Sequence, residues 1–415
     1  MNLSQLSGKK IGLCVSGGLD SKTLAKRLTE AGVDVVCFTA DIAQPDEKDI
    51  QGVVAKMAPC GVDTIIVDLK ELMAKACFLS IKSQAMYDGG YWNTTGLARA
   101  VTVAGIVPEM QKRGISILSH GATGRGNDQM RFERYTQVLA PTMQVYAPWR
   151  DPELLSQFPG RTQMADYLQS FGIPAVVGMK KKYSTDANLA GLSHEAEDLE
   201  SLETPCTIVE PIMGVWPQEA PDKIESVSVR FVKGEVVTIN GEVVSPLQAM
   251  TLANSLAGRN GIWMKNALEN RIIGTKSRGV YEAPGMELLA FCLRQLYQVV
   301  HDKRSAILFS HLSSLVSAHI YEGRLFDPSS QAAIAAINHL AVPASGVVQV
   351  GLYKGNMYFQ SLTECSTSLY NEKDSSMEES DGLNPVSSQG FAEIQGVEAL
   401  ALANAGQIAR EGFFG

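Results

Sequence analysis

The first 120 residues alternate between short apolar blocks and longer amphipathic blocks, a pattern typical of strands followed by helices. Four apolar blocks predict strands, at 9–15, 34–39, 63–67 and 114–120. Three amphipathic blocks predict helices, at 22–31, 47–57 and 97–112. In the first of these, Leu24, Leu28 and Ala31 share one helix face. The alternation indicates an α/β fold with a doubly wound parallel sheet, in which ligands bind at the carboxyl ends of the strands.

The rest of the chain groups its strands and helices separately. Strand patterns predict two antiparallel hairpins, one at 226–239 and one at 347–362. Amphipathic blocks predict helices at 247–257, 286–300, 306–321 and 330–340. This segregation indicates an α+β domain. A polar, acid-rich tract at 371–388 comes next, and apolar residues between Phe391 and Ala401 predict a C-terminal helix.

Length and composition set the domain limits. A chain of 415 residues is too long for one ordinary core. We place an α/β domain at 1–172, an α+β domain at 173–370, and a polar linker with the C-terminal helix at 371–415. Apolar residues make up 45% of the chain, as in a globular protein. No apolar run approaches the ~18 residues of a membrane span, and no secretory signal is visible near Met1.

Charge and cysteine content narrow the class of protein further. The formal net charge of −8 disfavours a broad nucleic-acid surface. The lysine run 180–182 is the one short basic candidate, and such a run is more often a solvated turn. Seven cysteines, an odd number without CxxC spacing, are typical of reduced thiols. We therefore expect a cytoplasmic protein that binds neither nucleic acid nor membrane.

The turn after the first predicted strand has the sequence Ser16-Gly17-Gly18-Leu19-Asp20-Ser21. A strand, a glycine-rich turn and a helix N-terminus together form an anion site, because unpaired backbone N–H groups point outward and the helix dipole favours negative charge. An ordinary βα turn with a helix cap is the alternative. The turn lacks the Gly-Lys-Ser/Thr of a Walker A loop. It resembles instead the PP-loop, the pyrophosphate-binding loop of ATP pyrophosphatases, which cleave ATP to AMP and pyrophosphate.

A second polar segment, 121–132, follows the fourth predicted strand. Three glycines free its backbone, while threonine, asparagine, aspartate and arginine side chains supply donors and acceptors at another strand's carboxyl end. A solvated loop with good turn residues is the alternative interpretation. A plain loop rarely groups so many directed polar side chains, so we expect a binding loop.

Motifs along almost the whole chain, in the same order, resemble those of the argininosuccinate synthase family. The matching motifs are Ser16-Gly17-Gly18-Leu19-Asp20, Phe38-Thr39-Ala40-Asp41-Ile42, 120–129, 147–150, 183–189, 257–259, 269–282 and 352–356. Members of this family are PP-loop ligases that join citrulline and aspartate using ATP. The resemblance implies that the ureido oxygen is adenylylated at the α-phosphorus and that the aspartate amine then displaces AMP. Such a mechanism needs charge neutralisation and alignment more than a strong acid or base.

The resemblance also implies roles for the residues that match family motifs. ATP would contact Cys14, Val15, Ser16, Gly17, Gly18, Leu19, Asp20, Ser21, Lys22, Ala40 and Gly121. Aspartate would contact Thr123, Asn127 and Asp128. Citrulline would contact Tyr91, Gly96, Asn127, Arg131, Ser184, Ser193, Glu269 and Tyr281. Asp20, near a Mg²⁺ ion, and Asp128 would be the catalytic residues, and the family's assembly implies a homotetramer.

One motif departs from the family pattern. The family usually has Tyr-x-x-Gly-Thr-Ser-Leu-Ala-Arg-Pro where this chain has 91–100. Gly96 replaces a serine that contacts citrulline, Thr94 replaces a glycine, and Ala100 replaces a proline. The loss of one hydrogen bond to a charged group costs about 1.5–3 kcal/mol, unless Asn93 or Thr94 substitutes for it.

We therefore expect an AMP-forming carbon–nitrogen ligase that uses ATP, Mg²⁺ and aspartate, with citrulline as the first-choice acceptor. The alternative is a paralogue that acts on a different ureido or carbonyl acceptor in a specialised pathway. A tRNA-modifying PP-loop enzyme is disfavoured by the acidic balance of the chain. An inactive paralogue is disfavoured by the intact PP-loop.

Overall fold

The computed structural model describes residues 1–124, 126–175, 182–262, 264–376 and 384–408. The chain divides into two compact units, Met1–Thr367 and Ser368–Gly415. Lys180 and Lys181 of the basic run and residues 377–383 of the acid-rich tract lie outside the described residues.

Strands and helices alternate in the first half of the chain and are grouped in the second. Numbered in chain order, the strands are β1 (Lys10–Cys14), β2 (Asp34–Asp41), β3 (Asp63–Asp68), β4 (Met86–Tyr87), β5 (Tyr91–Trp92), β6 (Ile117–His120), β7 (Gln144–Tyr146), β8 (Ser184–Asn188), β9 (Gly191–Glu195), β10 (Glu225–Val232), β11 (Glu235–Ile239), β12 (Glu242–Val243), β13 (Met264–Asn270), β14 (Lys276–Glu282), β15 (Gly346–Tyr353) and β16 (Asn356–Thr363). The helices are α1 (Leu19–Glu30), α2 (Gly52–Met57), α3 (Lys70–Lys82), α4 (Thr94–Lys112), α5 (Asp128–Leu139), α6 (Pro152–Gln157), α7 (Arg161–Ser170), α8 (Pro246–Arg259), α9 (Pro284–Val300), α10 (Lys303–Glu322), α11 (Pro328–Leu340), α12 (Glu372–Ser375) and α13 (Ser387–Asn404).

The predicted parallel sheet is present, with strand order β3-β2-β1-β6-β7 and parallel pairing throughout. Cys14, at the end of β1, lies opposite Phe38 of β2 and His120 of β6. The chain leaves these parallel strands at one edge, so the loops that follow β1, β2 and β6 meet there. The α/β fold class predicted for this part of the chain is confirmed.

Local hydrogen bonds shift some helix boundaries from the predicted ones. The helix predicted at 47–57 begins only at Gly52. Before it, Glu47 accepts a hydrogen bond from the Asp49 N–H at 3.1 Å, and Asp49 accepts one from the Gly52 N–H at 3.0 Å. Such side-chain to backbone bonds compete with the helical ladder. Helix α5, in contrast, already begins at Asp128, so part of the predicted polar loop is helical.

Two antiparallel sheets and the helices α8 to α11 form the α+β part, as the segregated pattern predicts. One sheet contains both predicted hairpins and has the strand order β12-β11-β10-β15-β16. The other has the order β13-β14-β9-β8 and was not predicted from the sequence. Its strands carry polar side chains on a face that lines a cavity, so they form no continuous apolar block.

One buried apolar core joins the parallel-sheet part to the α+β part within the first unit. Phe78 of α3 and Leu97 of α4 belong to it, together with Met250 of α8 and Leu293 of α9. Because protein interiors are close-packed, these helices hold the two parts in a fixed arrangement. The domain limits at 172 and 370 stay a prediction.

The second unit contains α12 and the predicted C-terminal helix, α13. Apolar side chains of α13 at Phe391, Ile394, Val397 and Leu400 are not buried within this unit. In the described part of the chain, no helix combines the length and apolar character that crossing a membrane requires.

Gly258 of α8 allows the helix to contact the backbone around Met213. A Cβ at Gly258 would lie 2.1 Å from the Met213 carbonyl oxygen and 3.2 Å from Gly214 Cα. Since backbone atoms cannot swing aside as a side-chain end can, we expect Gly258→Ala to lower the free energy of unfolding by about 1–3 kcal/mol. Urea unfolding measures this value. Gly390→Ala, where a Cβ meets no atom within 4 Å, is the matched control. Wild-type stability of Gly258→Ala would contradict the packing argument.

Candidate active site

The turn between β1 and α1 is held open at the edge of the parallel sheet. Gly17 has a φ of +77°, a left-handed conformation that glycine adopts without strain. The Ser16 N–H donates to Ser21 Oγ at 3.0 Å, and the two hydroxyl oxygens lie 3.4 Å apart. The Thr39 hydroxyl donates to the Val15 carbonyl at 3.0 Å and ties β2 to the turn. Serine hydroxyls and the N-terminus of α1 therefore share one corner, which suits an anion.

A cavity of about 670 Å³ opens at this corner, and we call it the PP-loop cavity. Of the residues predicted to contact ATP, those lining it are Cys14, Val15, Ser16, Asp20, Ser21, Ala40 and Gly121. Burial raises the pKa of Asp20, and the Arg161 guanidinium opposes this shift. Burial also raises the pKa of the Cys14 thiol to about 12, so it stays protonated at neutral pH. Cys14 therefore shapes the cavity and adds no charge to it.

A second cavity, of about 390 Å³, shares a wall with the first. The shared wall consists of Gly121, Ala122, Thr123, Asp128, Thr185 and Asp186. Beyond the wall, the predicted contact residues that line the second cavity are Tyr91, Asn127, Arg131, Ser184, Ser193, Glu269 and Tyr281. We call it the tyrosine cavity. Ligands bound in the two cavities would meet at the shared wall.

Strand register brings distant residues together at the tyrosine cavity. Across the four-stranded sheet, Ser193 of β9 lies opposite Asp186 of β8 on one side and Tyr281 of β14 on the other. Two residues further along, Ser184 lies opposite Glu195. Side chains two residues apart in a strand point to the same face. One face of the sheet thus presents all five side chains to the cavity.

Glu269 of β13 is the centre of a buried cluster of tyrosines. Its Oε1 accepts from the Tyr321 hydroxyl at 3.0 Å, and its Oε2 accepts from Tyr281 at 3.4 Å. The Tyr91 hydroxyl also donates to Oε2. Tyr91 stacks on Tyr281 with ring centroids 4.1 Å apart, and Tyr87 stacks on Tyr321 at 3.8 Å. A carboxylate fixed in this way suits a cationic group such as an α-ammonium.

Arg99 of α4 joins the shared wall through two ion pairs. Its Nε donates to Asp128 Oδ2 at 3.0 Å, and its Nη2 donates to an Asp186 carboxylate oxygen. Arg131 Nη1 donates to Asp128 Oδ1 at 2.8 Å. Burial alone would raise the pKa of Asp128, but the Arg99 and Arg131 guanidiniums outweigh it and hold that pKa below its usual range. The pKa of Asp186 is raised by burial. The wall therefore carries an ionised Asp128 with two guanidiniums.

Some predicted contact residues line neither cavity. They are Gly17, Gly18, Leu19, Lys22 and Gly96. The Lys22 ammonium donates to the Pro174 carbonyl at 3.0 Å, so the ammonium lies on the backbone after α7. Gly96 is buried in the first turn of α4, whereas Asn93 and Thr94 line the tyrosine cavity. The binding roles of these residues stay predictions.

Sequence reasoning missed several polar residues that the structure brings to the cavities. They are Arg99, Asp186 and Glu195, which line the cavities, and Tyr321, which donates a hydrogen bond to the cavity residue Glu269. Arg99 and Asp186 lie inside motifs that resemble the family's, and Glu195 follows Ser193 at strand spacing. A strand assigned at 191–195 would therefore have found Glu195. Tyr321 had no such signal, because it lies 52 residues from its partner Glu269 along the chain.

A parallel sheet with a PP-loop at its edge, joined to a cavity rich in carboxylates and tyrosines, defines a nucleotide-binding enzyme of the ATP pyrophosphatase class. Comparison with known proteins narrows this class to one family. Residues 10–174 match the model of the Arginosuccinate synthase N-terminal HUP domain. Residues 183–402 match the model of the Arginosuccinate synthase C-terminal domain.

Individual relatives are similar over nearly the whole chain. A protein of Rhodopirellula baltica named argininosuccinate synthase is 36% identical over 388 residues, which cover 93% of this chain and 96% of the relative. A protein of Thermotoga petrophila with the same name is 35% identical over 396 residues, which cover 93% and 95%. The chain belongs to the argininosuccinate synthase family.

The stability of the protein should depend on pH through Glu195, which lines the tyrosine cavity. Burial raises the pKa of Glu195 to about 7, with a further contribution from nearby carboxylates. A carboxyl group whose pKa is raised on folding contributes stability below its unfolded pKa, and this stability is lost as the pH rises through the folded pKa. The free energy of unfolding of the wild type should therefore decrease between pH 5 and 8. In Glu195→Gln, the share of this decrease that comes from Glu195 should be absent. Over that range, the free energy of unfolding of the variant should rise by roughly 1–3 kcal/mol relative to that of the wild type.

Urea unfolding at pH 5, 6, 7 and 8 measures this difference. Glu242→Gln, on the exposed strand β12, is the matched control. It should follow the wild-type pH profile. Parallel profiles for wild type and Glu195→Gln would show that the Glu195 carboxyl group does not titrate in this range.

Proposed function

We propose that the protein joins citrulline and aspartate to argininosuccinate, consuming ATP and releasing AMP and pyrophosphate. The observation that carries this proposal is the wall shared by the PP-loop cavity and the tyrosine cavity. A nucleotide with its pyrophosphate at the PP-loop can direct its α-phosphorus to that wall, and an amino acid in the tyrosine cavity can reach it from the other side. Membership of the argininosuccinate synthase family supports the same reaction.

The PP-loop corner would hold the pyrophosphate of ATP. Ser16 and Ser21 present hydroxyl groups beside the N-terminus of α1, and backbone N–H groups of the turn add further donors. Ala40, near the end of β2, and Gly121 would contact the rest of the nucleotide. These groups stabilise negative charge on the leaving pyrophosphate without transferring a proton.

A Mg²⁺ ion fits this corner as a companion of the phosphates. Asp20, Asp46 and Glu47 line the PP-loop cavity with carboxylate oxygens, the ligands that Mg²⁺ prefers. Among the described residues, no group of three or more His, Cys, Asp or Glu side chains is arranged to hold a metal ion. We propose that Asp20 binds Mg²⁺ together with ATP phosphates, and the ion would neutralise phosphate charge.

The tyrosine cavity would hold citrulline with its ureido group towards the wall. Glu269 suits the α-ammonium group, since three tyrosine hydroxyls fix its position. Ser184 and Ser193 offer neutral hydroxyls, and Arg131 supplies positive charge. The ureido oxygen would then face the α-phosphorus of ATP, where adenylylation converts it into a leaving group.

Aspartate would bind at Thr123 and Asp128 of the shared wall and at Asn127 of the tyrosine cavity. Two guanidiniums hold Asp128 ionised, so it aligns Arg99 and Arg131 and is a poor proton acceptor. The aspartate amine can then attack the adenylylated carbon and displace AMP. Alignment and charge, more than acid–base chemistry, carry this step.

ATP–pyrophosphate exchange tests the proposal with the full-length protein. Exchange should depend on citrulline, and AMP should appear when aspartate is added. Exchange with another ureido compound but not with citrulline would favour the paralogue with a different acceptor. Release of ADP in place of AMP would contradict the assignment of the PP-loop.

A variant of Asp20 tests the role of its carboxylate charge in the same exchange assay. Asp20→Asn keeps the shape of the side chain but removes its charge, so we expect citrulline-dependent exchange to fall by about 100-fold or more. Asp63→Asn, at the exposed start of β3, is the matched control and should retain wild-type exchange. If Asp20→Asn retained the wild-type rate of exchange, Asp20 would not be a catalytic residue.

We also propose that the protein is a cytoplasmic homotetramer. All seven cysteines are free, as expected in a reducing compartment. In the described part of the second unit, the apolar residues of α13 are exposed, and they suit a contact between subunits.

Light scattering tests the role of α13 in assembly. Ile394→Asp should reduce the molar mass from that of a tetramer, because it places a charge in an apolar contact. Gln395→Asp adds the same charge at a neighbouring polar position and should leave the mass unchanged. A tetrameric mass for Ile394→Asp would exclude this face of α13 from the subunit contact.

A further inference from the structure

Asn93 is the N-cap residue of α4, at the tyrosine cavity. Its Oδ1 accepts a hydrogen bond from the Gly96 N–H at 2.9 Å. A backbone N–H group can only donate, so the side-chain atom that faces it is the oxygen, and Nδ2 is the other arm of the amide. The cap thus fixes the orientation of the whole amide group.

The Asn93 Nδ2 group is a buried donor that lacks a hydrogen-bond partner among the described residues. Asn93 is only 8% exposed, and it lines the tyrosine cavity with Thr94 and Thr95. An unpaired buried donor is destabilising unless a ligand or water accepts from it. The N-terminus of α4 adds backbone N–H groups and the positive end of the helix dipole. These features together suit a carboxylate.

Asn93 also explains why residue 96 is a glycine. A Cβ at Gly96 would lie 2.6 Å from Asn93 Nδ2 and 3.0 Å from Asn93 Oδ1. The Asn93 amide therefore occupies the volume that a side chain at position 96 would need. The Asn93 amide nitrogen therefore lies close to the position from which a serine side chain, the family's usual residue here, would start.

We propose that Asn93 Nδ2 donates a hydrogen bond to the α-carboxylate of the acceptor amino acid, and that Asn93 with Gly96 replaces the contact usually made by residue 96. The inference rests on the proposed function, because it takes the tyrosine cavity to hold the acceptor. Glu269 suits the α-ammonium group of the same molecule, so its two charged groups are recognised separately. Asn93 is thus a specificity-determining residue for the acceptor, and it does not act on ATP or aspartate.

The variant Asn93→Asp removes the Nδ2 donor but keeps a side-chain oxygen that can cap α4. Aspartate caps a helix as well as asparagine does, so the melting temperature should stay at the wild-type value. The variant lacks Nδ2 and places a carboxylate beside the ligand carboxylate. We expect the KM for citrulline in the exchange assay to rise at least about 10-fold, with the KM for ATP changed less than about twofold. In citrulline carboxamide, a neutral amide that can donate a hydrogen bond replaces the α-carboxylate. The ratio of the KM for citrulline carboxamide to the KM for citrulline should therefore be smaller for Asn93→Asp than for the wild type.

A second pair of variants tests the coupling of the two positions and does not depend on Asn93→Asp folding well. Asn93→Ser also caps the helix but cannot reach as far, so it should raise the KM for citrulline. Gly96→Ser alone should be impaired, because its Cβ contacts Asn93. The double variant Asn93→Ser with Gly96→Ser should recover a lower KM than Asn93→Ser alone.

Asp302→Asn is the matched control, since Asp302 caps α10 by accepting from the Arg304 N–H at 2.8 Å and lines neither cavity. It should leave every KM unchanged. An unchanged citrulline KM in folded Asn93→Asp, or an equal rise for all three substrates, would overturn the inference. A wild-type protein without citrulline-dependent exchange would instead defeat the proposed function, so the two failures are distinguishable.

Discussion

The partly buried ion pairs of Arg99 are the constraint on which both cavities depend. Arg99 projects from α4 and holds Asp128 of α5 and Asp186 of β8. Removing one partner from such a cluster leaves a charge without its compensating neighbour, which is destabilising where water only partly reaches it. Elements of the parallel-sheet part and of the four-stranded sheet must therefore keep one relative position. The same ion pairs hold Asp128 and Asp186 in place in the wall between the PP-loop cavity and the tyrosine cavity.

Environment divides the carboxylates around that wall into different roles. Asp128 shares two guanidiniums and has a lowered pKa, whereas burial raises the pKa of Glu195 to about 7. Glu269 accepts hydrogen bonds from three tyrosine hydroxyls, which fix the position of its carboxylate. Chemically similar side chains thus differ here in their surroundings: Asp128 lies between guanidiniums, the pKa of Glu195 is near neutral pH, and Glu269 is held by tyrosines.

Prediction from sequence succeeded where the signal was local. The strands of the parallel sheet are continuous apolar blocks, and the motif 16–21 connects β1 to α1 and includes the first residues of that helix. The sheet containing β8, β9, β13 and β14 escaped prediction because one of its faces is polar. Helix α2 is shorter than predicted because Glu47 and Asp49 bond to nearby backbone N–H groups. Tyr321 joins the site through contacts with residues far from it in the chain, among them Glu269, 52 residues away, and Asn127.

The sequence by itself determined the α/β and α+β classes, the PP-loop corner and the family, because these depend on periodicity and on motifs of adjacent residues. Tertiary structure decided which polar groups meet across the two cavities. It also revealed that the Asn93 amide occupies the volume a side chain at Gly96 would need. Strand register and helix packing determine which of these side chains are in contact. Both depend on residues far apart in the chain, which local sequence patterns do not reveal.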